Sequence, residues 1–118
     1  MMLVVFEVTP RPGLAQAYLD EAAALQKLLP QQPGWLSVER FQSLSRPGTY
    51  LSLSAWRDAA AVTQWRMQSQ HRQAQTLGRT QLFADHRLRV AEVVRDYRLH
   101  DRRQAPDDVD PAASHPYR

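Results

Sequence analysis

The chain reads as an α+β fold of order β-α-β-β-α-α-β, in which a four-stranded antiparallel sheet carries helices on one face, a ferredoxin-like arrangement. Three observations predict it. Four segments alternate in hydrophobicity or are rich in β-branched residues, as half-buried strands are. Helical stripes separate the first strand from the second and the third from the fourth. Clusters of Pro and Gly mark the turns between them.

Taken in order, Met2 to Thr9 is rich in β-branched residues and reads as the first strand, stopped by Pro10, Pro12 and Gly13. Leu14 to Leu29 reads as a helix, because Leu14, Tyr18, Ala22, Leu25 and Leu29 fall on one stripe and Pro30 cannot continue it. Pro33-Gly34 turns the chain into a second strand, Trp35 to Ser43. Arg46, Pro47 and Gly48 turn it again into a third, Tyr50 to Trp56, and the two strands form an antiparallel hairpin. Asp58 is placed to cap a helix from Ala59 to about Ser69. A shorter helix covers about Gln70 to Leu77, with Gly78 as its C-cap, and Arg79 to Asp85 forms a helical turn or loop. The last strand reads as His86 to Tyr97. Residues 1–98 make the folded domain, and the polar, Pro- and Asp-rich residues 99–118 make a tail or extended arm.

The whole chain bounds the function. At 118 residues it is one domain with a modest core. With no cysteine it has no disulfide, thiolate metal site or cysteine nucleophile. The apolar start is short, has no basic region before it and is interrupted by Glu7, so it reads as a strand rather than a leader peptide. No apolar run reaches membrane-spanning length, and a soluble, cytoplasmic protein with no membrane partner is expected. The formal charge of +3, carried almost wholly by arginine with Lys27 the sole lysine, is weak support for a nucleic-acid surface. A mixed, solvated surface is the preferred reading, and no nucleic-acid partner is expected.

Both faces of the sheet carry apolar groups. Val4, Phe6 and Val8 lie on one face of the first strand and Leu3 and Val5 on the other; Leu88, Val90 and Val94 oppose Ala91 and Val93 in the last. Helices on one face leave the other uncovered, and an apolar face of that size calls for a partner. Two sheets meeting face to face give a homodimer with a barrel-like interior. A monomer whose tail folds over the sheet is the alternative.

Several stretches are familiar. Glu39-Arg40-Phe41-Gln42-Ser43 followed by Tyr50 to Asp58, then Trp65-Arg66 with His71-Arg72, Gly78-Arg79 and the run Arg89 to Tyr97, resemble the antibiotic biosynthesis monooxygenase family over about residues 3 to 97. The resemblance implies a dimeric α+β barrel. Some members oxidise electron-rich aromatic polyketides or quinols with O2 and neither flavin nor metal, and relatives bind and degrade haem. The expected reaction is therefore cofactor-independent monooxygenation of a hydroquinone- or anthrone-like aromatic, with molecular oxygen as co-substrate.

Such chemistry needs an aromatic wall, a base for a phenolic or activated C–H proton, and cations or donors for the resulting anion. The family places a tryptophan beside the pocket at a point similar to Trp65, which equally suits a core residue pinning helix to sheet. His71, six positions on, titrates near neutrality and is the candidate base, against the commoner surface histidine. Arg89 and Arg87, on one face of the last strand, are candidate anion stabilisers or ion-pair partners of Glu39 or Glu7. Arg66 and Arg72 are weaker candidates, as helical arginines are usually solvated. Glu39 is a base only if burial raises its pKa. Tyr50, Trp56 and Phe83 either line a cavity or pack the core. In the haem-degrading relatives a histidine ten positions after the tryptophan ligates iron; here that position is Gln75, and Phe6 and Glu7 stand where those relatives carry an asparagine, so haem binding or degradation is kept only as a minor alternative. His71, His86, His100 and His115 show no metal-site spacing, and no dinucleotide fingerprint or phosphate loop is present. The rival readings are a non-catalytic module binding a small hydrophobic or aromatic ligand, and an RNA-binding domain. Tyr50 to Arg57 does not match the aromatic, basic motif that the latter requires.

Overall fold

A computed structural model of the protein describes residues 1–107. The chain forms β1 (Met2–Pro10), α1 (Ala15–Gln26), β2 (Trp35–Gln42), β3 (Tyr50–Trp56), α2 (Ala59–Met67), α3 (Ser69–Leu77) and β4 (Phe83–Glu92). The sheet is antiparallel in the order β2-β3-β1-β4, which is the ferredoxin-like arrangement. The portion of the polar tail beyond residue 107, including His115, lies outside the described residues.

Several element ends differ from the sequence reading, each for a local reason. Helix α1 stops at Gln26 rather than Leu29, and Leu29–Gln31 forms a 3-10 turn. Pro30 has no N–H for the carbonyl four residues back, which is that of Gln26, and its ring would clash there. Strand β4 runs from Phe83 to Glu92 instead of His86 to Tyr97 because, among the described residues, β1 is its only partner. Pro10 pairs with Phe83 at one end and Met2 with Glu92 at the other, and after Val93 donates to the Met1 carbonyl the ladder has nothing left to pair with. The chain then turns back on itself: Asp96 N–H donates to the Gln104 side chain, and the Arg102 guanidinium sits 4.9 Å from the Tyr97 ring. Gly78 is not a left-handed cap. It is helical, at φ −57° and ψ −51°, and the chain continues into a π-helical turn, Gly78–Leu82.

Register settles the two faces of the sheet. Val4 pairs with Ser54 and Val90, and Phe6 with Ser52 and Leu88, so these side chains share the face beneath the helices with Val38, Arg40 and His86. Leu3, Val5, Leu51 and Leu53 share the other face with Glu7, Glu39, Phe41, Arg87 and Arg89. A register shift between Trp35 and Ser37 carries Trp35 onto the helix side opposite Trp56, leaving Leu36 exposed. The core lies at that end of the sheet, where Leu29, Trp56, Ala61 and Trp65 cluster and Trp35, Leu25 and Val62 pack around them.

Gly34 is required twice over at this core. Its φ is +80°, and a Cβ built on it would lie 2.5 Å from the Ala61 Cβ on α2. Gly48, at φ +84°, has open space around it. Gly34→Ala should therefore destabilise the fold by about 3 kcal/mol, adding overpacking to the left-handed cost, while Gly48→Ala should cost about 1 kcal/mol. Denaturant midpoints of the two variants check the difference; equal losses would mean that α2 does not pack on Gly34 as described.

Candidate functional site

The helices leave a cavity of about 410 Å3 between themselves and the sheet. Its floor is the helix-side face: Val4, Phe6, Val38, Ser52, Ser54, Leu88 and Val90. Tyr18, Ala22 and Leu25 of α1, with Leu29 of the 3-10 turn that follows it, close it from above, along the stripe that the sequence shows. Helices α2 and α3 and the π turn supply a side wall through Val62, Trp65, His71, Ala74, Gln75 and Arg79.

One end of this wall is a three-ring stack. Trp56, fully buried on β3, stacks on Trp65 with centroids 6.2 Å apart, and Trp65 stacks on His71 at 4.4 Å and 13°. The Trp56 indole N–H donates to Ser54 Oγ at 2.9 Å, which holds its orientation. The break between α2 and α3 makes the stack possible. Gln68 is extended, and it ends one helix and begins the next: its side chain accepts from the His71 N–H at 2.8 Å. The chain thereby folds His71 back over Trp65. The Trp65 carbonyl, at the end of α2, accepts from Gln68 N–H at 3.1 Å and from His71 Nδ1 at 3.1 Å.

That last contact determines the chemistry of the histidine. A carbonyl oxygen only accepts, so Nδ1 carries the proton and the neutral ring keeps its lone pair on Nε2. Burial pushes the His71 pKa below its ordinary value of 6.5, opposed by the hydrogen bond to Trp65. The ring is thus neutral and basic at Nε2 around neutral pH, against an indole face and within an apolar cavity.

The far end is a second aromatic group. Phe83 lies 5.7 Å from Phe6, 5.8 Å from Tyr18 and 5.8 Å from His86, ring centroid to centroid. Gly78 explains how Phe83 seats there, since a Cβ on Gly78 would come within 2.5 Å of the Phe83 ring.

Of the residues singled out from sequence, Trp65, His71 and Phe83 come together around the cavity. Trp56 lies behind Trp65 as core, and Tyr50 packs on Tyr18 at 6.0 Å without lining the cavity. Glu39, Arg87 and Arg89 are on the opposite face of the sheet. There Arg89 and Arg46 both pair with Glu7, at 2.8 and 2.9 Å, and the Arg46 bond is the largest cause holding the Glu7 carboxyl below its usual range. Arg66 lines the cavity and Arg72 does not. Sequence reasoning missed Arg40 and His86, the immediate neighbours of Glu39 and Arg87, which project into the cavity instead. The signal was parity with Phe6: register places Arg40 and His86 on its face and Glu39 and Arg87 on the other. No group of His, Asp and Glu among the described residues is arranged to hold a metal ion, and no helix among them is long and apolar enough to cross a membrane.

Comparison with known proteins places these features. The family model for antibiotic biosynthesis monooxygenases matches residues 1–77. A Pyricularia oryzae protein named jasmonate monooxygenase ABM is 39% identical over 101 residues, which are 86% of this chain and 47% of the relative. The Bacillus subtilis protein YqjZ is 31% identical over 66% of this chain and 67% of its own length. The chain thus spans about half the length of the first of these relatives. Among solved structures, a Deinococcus radiodurans protein assigned as an antibiotic biosynthesis monooxygenase superposes with a TM-score of 0.73 at 17% identity, covering 83% of this chain and 97% of that one. A Mycobacterium tuberculosis protein superposes with a TM-score of 0.73 at 16% identity, covering 80% and 96%. At such identities the structures share the fold.

Gly78→Ala tests the Phe83 end of the cavity. The backbone there is helical, where alanine is favoured over glycine by about 1 kcal/mol. A net loss of about 1–3 kcal/mol is nevertheless expected from the displaced ring. The loss should largely vanish when Gly78→Ala is made in a Phe83→Ala background, read as a double-mutant cycle in denaturant. Additive effects would show that Phe83 does not sit against Gly78.

Proposed function

The chain belongs to the antibiotic biosynthesis monooxygenase family, and on that premise we propose that it is a cofactor-independent monooxygenase acting on an electron-rich aromatic substrate with O2. The observation that carries this reading is His71: a neutral imidazole, fixed by the Trp65 carbonyl with its lone pair on Nε2, in the wall of an apolar cavity of about 410 Å3.

In this reading the substrate's ring lies in the cavity beside Trp65. His71 Nε2 removes a phenolic or activated C–H proton. The resulting anion gives up electrons to O2 and forms a C–O bond. One oxygen atom is retained as a carbonyl, and the other leaves as water with the two hydrogens the substrate loses, both from the methylene carbon of an anthrone, or one from the ring carbon and one from the hydroxyl of a phenol. The substrate is the reductant, so the protein's tasks are to take and return a proton, to hold the anion and to exclude water. The apolar floor and α1 stripe serve the last of these. At the position where haem-degrading relatives carry their ligating histidine, an amide, Gln75, lines the wall, which supports the haem-free reading.

A homodimer completes the proposal. The sheet face away from the helices carries Leu3, Val5, Leu51 and Leu53 beside the exposed Phe41, an apolar surface that a second copy would cover. Its charged groups are partly neutralised within the chain through Glu7.

The test is oxygen uptake by metal- and flavin-free protein with a panel of anthrones and hydroquinones. The parent chain is expected to consume O2 above autoxidation and to sediment as a dimer. His71→Gln and Trp65→Phe should sediment alike but lose turnover about 100-fold or more, as expected for removal of a general base or its orienting surface. Because burial lowers the His71 pKa, kcat/KM should fall only as pH drops below 6.5. The sign for stability is the same: the folded state binds fewer protons between its lowered pKa and the unfolded value, so stability is full above pH 6.5 and declines as pH falls through that range. Full activity in both variants, or a parent chain that sediments as a monomer, would contradict the corresponding part of the proposal.

A further inference from the structure

The charged groups of the cavity are unevenly signed. Arg40, Arg66 and Arg79 line it, against one carboxylate, Glu21. Among the described residues none of these four is in an ion pair. Arg66 and Arg79 are exposed, where water screens their charge. Arg40 differs. It is half-buried on β2, paired in register with Ser52, on the face that floors the cavity. Its guanidinium reaches the helix layer and donates through Nη2 to Gln26 Oε1 of α1. That acceptor is neutral, so the positive charge is oriented without being compensated.

Tyr18, on α1 above, lines the same cavity. Burial pushes its phenol pKa above 10.0, and the positive charge of Arg40 acts against this. The phenol therefore remains protonated at neutral pH, and among the described residues its hydroxyl has no hydrogen-bond partner. An oriented cation and a neutral O–H donor thus face a cavity whose lining also includes the apolar Ala22, Leu25, Leu29 and Val38, with Glu21 as its one carboxylate. A guanidinium fork matches the two oxygens of a carboxylate, and apolar walls strengthen the attraction by excluding water.

We propose that the cavity takes an apolar monocarboxylic acid, with the carboxylate on Arg40 beside the Tyr18 hydroxyl. This names a substrate class for the oxygenation proposed above, an aromatic acid rather than a neutral aromatic, and rests on the cavity being the site of that reaction.

The test is calorimetric titration of the full chain with 1-naphthaleneacetate and, separately, with its neutral isostere 1-naphthaleneacetamide. The acid should bind about tenfold more tightly, as expected for a hydrogen bond made to a charged group, and the preference should shrink as salt is added. Arg40→Met should bind acid and amide alike, with the amide affinity of the parent; that retained affinity also reports an intact cavity. Arg66→Ala should keep the preference. Equal affinities in the parent chain, no binding of the acid, or a preference that survives in Arg40→Met but is lost in Arg66→Ala would overturn the proposal. Acid preference without oxygen uptake supports the carboxylate site and overturns the oxygenation alone. Uptake with a neutral quinol and no acid preference does the reverse.

Discussion

The stack of Trp56, Trp65 and His71 ties together parts of the chain that have little else in common. Trp56 is the last residue of β3, Trp65 lies in the second half of α2, and His71 lies in the first turn of α3. Each aromatic pair contributes about 0.5–1.5 kcal/mol beyond the area it buries, so the energetic gain is moderate. The geometric consequence is larger. Stacking on a buried indole fixes where α2 lies over the sheet. The kink at Gln68 then directs α3 back across the cavity toward the π turn and Phe83. The cavity exists because three aromatic rings hold the helices off the floor at one end while Phe6, Tyr18 and Phe83 hold them off at the other.

The sheet serves two different environments with one set of strands. Its helix-side face combines apolar groups with small hydroxyls, Ser52 and Ser54, leaving room for a ligand beneath α1. Its other face combines aliphatic residues with an ion-pair cluster around Glu7. Because period-two alternation separates these environments by a single residue, adjacent positions have opposite roles: Arg40 faces the cavity and Glu39 does not, and His86 faces it while Arg87 does not.

That parity marks the limit of what could be read from sequence. The strands, the helices, their order and the ferredoxin-like packing were legible, because alternation, helical stripes and Pro-Gly turns are local signals. Trp65 and His71 were legible as candidates, through the family resemblance and the titration range of histidine, and the structure places both in the cavity wall. The cavity face of β2 and β4 was not, because both faces of this sheet carry apolar groups and the choice between them depends on where the helices pack. Likewise the shift that moves Trp35 onto the core side, the π turn after α3 and the reason for Gly78 are set by contacts distant in sequence. Gly78 resembles a helix cap locally, yet it is helical and makes space for a ring five residues later.

The account depends most on the state of one imidazole. Its central claim is that His71 is neutral at neutral pH, with the proton on Nδ1 and the lone pair on Nε2, because the Trp65 carbonyl accepts from one side and burial disfavours the cation. Long-range 1H–15N correlation spectra of the labelled imidazoles, followed through a pH titration, measure tautomer and pKa together without reference to any substrate. The account predicts a Nδ1–H signature for His71 and a midpoint below 6.5. A Nε2–H tautomer, or a midpoint above that value, would contradict it.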